Sequence, residues 1–90
     1  MSEYIIYIDL LSKNNKLVVK TIYATKIREL QEAEELFEQA ISVIKIIIDK
    51  STFSKFIVRL IQRDIFKDSI DVEHKREVIK LWEKVKFIEE

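Results

Sequence analysis

Residues 26–50, KIRELQEAEELFEQAISVIKIIIDK, carry the longest run of helical hydrophobic periodicity in the chain. Ile27, Leu30, Phe37, Ile41, Ile44 and Ile48 recur at spacings of three and four, with Glu34 as the one polar interruption. Ala33, Leu36, Ala40, Val43 and Ile47 form a second row beside this seam, so the apolar arc is wider than a two-stranded coiled coil needs. A helix with such an arc requires neighbours on two sides. Gln31, Glu32, Glu35, Glu38, Gln39 and Ser42 make the opposite face acidic and solvated, and Ile46 is its one large apolar residue. The β-branched run Val43–Ile48 would suit a strand. No Gly, Pro or turn cluster separates it from the residues before it, however, so the spacing predicts one helix over 26–50, capped by Thr25 and stopping near Asp49–Thr52.

Toward the N-terminus the period changes to two. Tyr4, Ile6, Ile8 and Leu10 share one face of a first run, and Leu17, Val19, Thr21 and Tyr23 continue that face on a second. The polar stretch Ser12–Lys16 between them contains two Asn, which tolerate left-handed turn conformations. A β-hairpin over 3–24 follows, with Leu10 opposite Leu17 across a four-residue loop or opposite Val19 across a two-residue one. The hairpin's other face holds Ile5, Tyr7, Leu11, Val18 and Ile22 among Glu3, Asp9, Lys16 and Lys20, which is too apolar for water. An isolated two-stranded sheet is also marginal and leaves two open edges. A homodimer that covers this face, with Leu36, Val43 and Ile47 of the long helix contributing, is the expected solution; the alternative is a third helix folded over it within one chain.

Toward the C-terminus Phe53, Phe56, Ile57, Leu60 and Ile61 repeat at helical spacing and predict a second helix over 52–67, capped by Ser51 or Thr52. After a break at Asp68–Asp71, the residues Val72, Val78, Ile79, Leu81, Trp82 and Val85 predict a third over 71–88, with Asp71 as its cap. The expected fold is therefore α+β: an N-terminal hairpin followed by three helices, predominantly helical, in a single domain spanning 1–90.

Composition bounds the function. The chain has 90 residues and no Cys, Gly or Pro, which excludes a disulfide framework, thiol chemistry and Gly-built phosphate loops. Sixteen basic residues balance sixteen acidic ones, so any attraction to nucleic acid must be local. The N-terminus shows no secretory pattern and charges interrupt every apolar stretch, so a cytoplasmic protein with no membrane span is expected, in a host cytoplasm if the chain is viral. Abundant Ile, Lys and Glu without Gly or Pro resembles the composition of proteins from hyperthermophilic archaea and their viruses, and an AT-rich genome gives the same bias.

No constellation points to catalysis. The single His74 is preceded at helical spacing by Asp71, and one Asp-x-x-His is not a metal site; no cofactor is implied. Glu29, Glu32, Glu35 and Glu38 read as a solvated acidic face. The expectation is a small non-enzymatic interaction protein, a homodimer that binds another protein. The alternative is a nucleic-acid-binding regulator using Lys55, Arg59, Arg63 and Lys67, which recur every four residues as a basic stripe.

Overall fold

Two antiparallel strands, a helix and two more antiparallel strands follow one another through residues 2–64 and 71–81, the part of the chain that the computed structural model describes. The strands are β1 (Ser2–Ser12), β2 (Leu17–Ile27), β3 (Phe53–Asp64) and β4 (Asp71–Lys80), and the helix α1 (Leu30–Ile47) lies between β2 and β3. They form one sheet in the order β2-β1-β3-β4, antiparallel at every junction. The described residues are 59% strand and 24% helix.

This corrects the expectation of a predominantly helical chain with three helices. The segment assigned to a second helix at 52–67 is β3 as far as Asp64, and the one assigned to a third helix at 71–88 contributes β4. Residues 65–67 of the first and 82–88 of the second, including Trp82 and Val85, lie outside the described residues. The physical reason is visible in Lys55–Arg63. Phe56, Val58 and Leu60 are fully buried against the helix, while Lys55, Ile57, Arg59, Ile61 and Arg63 alternate with them on the other face. Because Ile57 and Ile61 are apolar too, Phe53, Phe56, Ile57, Leu60 and Ile61 match a helical repeat as well as a strand does. In β4 the Glu, Lys and Arg residues favour a helix locally, and pairing with β3 overrides that weak preference.

The long helix is present but shorter than the 26–50 predicted. Lys26 and Ile27 finish β2, and Glu29 takes the N-cap position in an extended conformation without a side-chain cap, in place of Thr25. At the other end Ile48 donates its amide to the Ile44 carbonyl, closing the last turn. Ser51 and Thr52 do not cap a second helix. The Asp49 carboxylate accepts from the Ser51 amide at 2.9 Å and from the hydroxyls of Ser51 and Thr52 at 2.6 and 2.8 Å, folding the connection into β3.

The N-terminal hairpin is paired further out than its turn alone would set. Leu11 faces Leu17, but Val18 is an extra residue, so Leu10 faces Val19 and Ile8 faces Thr21. Further irregularities leave Ile6 opposite Ala24 and Tyr4 opposite Ile27. Without Gly in the chain, Asn15 and Lys26 take the left-handed conformations, at φ 64° and 59°. Asn15 completes the turn, and Lys26 marks the last irregularity before the strand ends.

The core is a single layer between helix and sheet. Ala33, Phe37, Ala40 and Ile41 of α1 pack on Ile6 and Ile8 of β1, Ile27 of β2 and Phe56, Val58 and Leu60 of β3. Helix positions facing the sheet at spacings of three and four alternate small with large, and Phe37 between Ala33 and Ala40 is fully buried. At the edge, Lys75 of β4 lies over the Phe37 ring at 5.1 Å and reaches Glu38 at 3.6 Å, so one long side chain seals the core beside β4. His74, the extra residue of a bulge opposite Leu60–Ile61, stands edge-on to Tyr4 and meets the Gln62 side chain. Tyr23 donates its hydroxyl to Gln39 on the helix.

Candidate interaction surface

With α1 on one face, the described residues leave the opposite face of the sheet without a second layer. Alternation along β3 brings Lys55, Arg59 and Arg63 to it, because a spacing of four also preserves the face of a strand. The stripe expected on a helix is thus a row along the strand; Lys67 lies outside the described residues. Cross-strand neighbours add Tyr7 and Asp9 from β1, Lys20 from β2, and Asp71, Glu73, Arg76 and Lys80 from β4. The bulge at His74 is what puts Glu73 and Arg76 on one face, where they pair at 3.1 Å.

Two apolar residues in the middle of this face are nevertheless buried: Ile5 is 2% exposed and Ile61 5%. They are register partners, and the residues two further along each strand are Tyr7 and Arg63. The Arg63 guanidinium reaches the Tyr7 hydroxyl at 3.4 Å and forks onto both carboxylate oxygens of Asp71 at 2.9 and 3.0 Å. This polar chain roofs the isoleucine pair, so Ile5, expected at a dimer interface, is covered within its own chain. The fork also shifts both titrations. Hydrogen bonding from Arg63 holds the Asp71 carboxyl below its ordinary range, and Asp71 pushes the Arg63 guanidinium further up.

Tyr7 is central to the face. Its ring lies 5.2 Å from the Arg59 guanidinium and 5.9 Å from the Lys20 ammonium. Arg59 sits 3.5 Å from Asp9, with both side chains under 20% exposed, yet Arg59 Nε and Asp9 Oδ1 are buried without a hydrogen-bond partner. Beside them a shallow cavity of about 420 Å³ is lined by Tyr7, Lys20, Arg59, Ile61, Arg76 and the acidic pair on β4.

The remaining expected interface residues divide. Leu11 is half-buried on the open face, and Val18 and Ile22 of β2 are 55% and 53% exposed. Leu36 and Val43 of α1 are half-buried, Leu36 against the core, while Ile47 is exposed. Ile47 lines a second pocket of about 220 Å³ with Leu10, Ile44, Ile48, Asp49 and Phe53, and Ile46, next to it in the chain, is exposed. Lys20, Arg76 and Lys80 were not singled out from the sequence. Their membership follows from strand pairing between segments far apart in the chain, which no local pattern reports.

Among the described residues no group of His, Asp or Glu gathers into a metal site, and no helix is long and apolar enough to cross a membrane. Compared with known proteins, the chain matches no family model, no curated protein and no solved structure.

Proposed function

We propose that this is a non-enzymatic, cytoplasmic interaction protein that works as a homodimer and binds another protein. The observation that carries the reading is the difference between the two edges of the sheet. β4 is guarded: six of its ten residues are Asp, Glu, Lys or Arg, and a bulge at His74 interrupts it. β2 exposes Leu17, Val18, Val19 and Ile22, with Lys20 as the one charge among them. A long apolar edge strand is a template for another strand, and pairing with its own copy about a two-fold axis consumes both templates at once. An axis near Val18 and Val19 sets those residues against each other and places Lys20 opposite the partner's Leu17, away from its own copy. The sheet would then run through eight strands.

Ile46, Ile47 and the apolar pocket that Ile47 lines lie at the far end of α1 from its N-terminus and provide the surface for the protein partner. Light scattering after size exclusion tests the dimer. The expected mass is twice that of the chain, reduced to that of a single chain by Val18→Lys, whose exposed site leaves the fold intact. A wild-type monomer at micromolar concentration overturns the reading.

A further inference from the structure

The ladder between β3 and β4 contains a feature that folding alone does not account for. Lys55 is the register partner of Lys80, and Arg59 that of Arg76, so two pairs of like charges stand directly opposite each other on the open face. Between them lies the apolar pair Ile57 and Val78. Like charges in cross-strand register are destabilising, and among the described residues the second pair alone has carboxylates beside it, Asp9 and Glu73. Lys55 and Lys80 have no carboxylate partner among the described residues. Four residues of strand separate the pairs, roughly 13 Å.

An anion placed between the members of each pair turns repulsion into bridging. Two such sites in a row call for a polymer of anions, and the Tyr7 ring beside the Arg59–Arg76 pair calls for one that also presents flat rings. The cavity of about 420 Å³ lies there, with Tyr7, Lys20, Arg59 and Arg76 in its lining and Asp71 and Glu73 on its β4 side. Arg59 lines the same place, its Nε 3.5 Å from Asp9 without a hydrogen bond. Charge is also partitioned across the molecule: six cations face four carboxylates on the open side of the sheet, while α1 carries Glu32, Glu34, Glu35 and Glu38 against Lys45. The zero net charge of the sequence conceals a molecule that would present its sheet, and not its helix, to a polyanion.

The geometry points to the open sheet face as a binding track for single-stranded nucleic acid, with the Lys55–Lys80 and Arg59–Arg76 pairs each bridged by backbone phosphate and Tyr7 stacking on a base. A duplex keeps its base faces inside and leaves Tyr7 unused. The track does not rest on self-pairing through β2, since its residues lie on β1, β3 and β4 with Lys20 at its margin.

Fluorescence anisotropy with a labelled oligodeoxythymidine of about 12 nucleotides tests it, with a duplex of the same length and polyglutamate as competitors. The expected result is binding with a log–log salt slope of about −1.4, two phosphates at about −0.7 each. Lys55→Ala/Lys80→Ala should reduce that slope by about 0.7. Tyr7→Leu should weaken binding about tenfold and leave the slope unchanged. Circular dichroism confirms that the variants remain folded. No binding at low salt, binding indifferent to Lys55 and Lys80, or equal or better competition by the duplex or polyglutamate overturns the proposal, the last assigning the face to an acidic polypeptide. Val18→Lys should retain oligonucleotide binding per chain, so the track and the dimer fail separately.

Discussion

The side chains that decide this structure are those whose burial contradicts their neighbours. Val58 is fully buried and Ile57, next to it, is half-buried on the open face. Replacing Val58 with Thr keeps the shape and buries an unpartnered hydroxyl, which should cost about 1–3 kcal/mol. Ile57→Thr should cost less than that. A helix through the same residues would reverse the order, so urea titration of the two variants tests the strand directly. The large buried rings set the scale: Phe37→Ala or Phe56→Ala should lose about 3–5 kcal/mol, a large share of what a domain of this size possesses. Ile46→Ala, at 82% exposure, should change stability by less than about 0.5 kcal/mol.

Charge acts at the same scale. Asp49 and Asp71 are both held below the ordinary carboxyl value of 3.8, Asp49 by the Ser51 and Thr52 side chains and Asp71 by Arg63. A depressed folded value means that each carboxylate supports folding fully above the ordinary value, and that this support is lost as pH falls through the lower folded one. Thermal melts between about pH 6 and pH 2 should therefore show an acid loss that is smaller in Asp71→Asn than in the wild type. An unchanged acid limb would mean that the Arg63 fork contributes nothing to folding.

Elements show where the sequence could be read and where it could not. The hairpin was legible although Ile5, Tyr7 and Leu11 make β1 apolar on both faces, because the polar stretch Ser12–Lys16 with its two Asn marks a turn between two runs. So was the body of α1, whose arc from Leu30 to Ile47 has one period. β3 was not, because apolar residues on both faces of an inner strand erase the alternation that identifies a strand. β-branched residues are no safe guide by themselves: the run Val43–Ile48, which suits a strand, is helical as far as Ile47, while Ile57, Val58 and Ile61 lie in a strand. β4 was hidden for the opposite reason. Its charges belong to a guarded edge, and an edge strand exists only through the neighbour that it pairs with. The row Lys55, Arg59 and Arg63 survived the change of element because a spacing of four is close to one helical turn and is also two strand repeats. Its cross-strand partners Arg76 and Lys80 depended on register.

At the scale of the molecule, the described residues put one helix on one face of four strands, and among them two unlike surfaces stay exposed. The open face balances an apolar pair under a polar roof with paired cations beside a tyrosine. The β2 edge presents apolar side chains and backbone groups that no strand among the described residues meets. Self-pairing through β2 would join two open faces into one continuous surface, doubling the track without altering it. That arrangement also predicts avidity: an oligonucleotide long enough to cross both faces should bind the wild type more tightly than Val18→Lys, whereas a short one should not distinguish them.

Amide hydrogen exchange of β2, followed residue by residue at two protein concentrations, tests self-pairing most directly. The alternate amides of Leu17–Ile27 that point away from β1 should be protected at high concentration and exchange rapidly on dilution, while those bonded to β1 stay protected at both. Rapid exchange of the outward amides at both concentrations would show an edge that meets no second copy, and would contradict the homodimer.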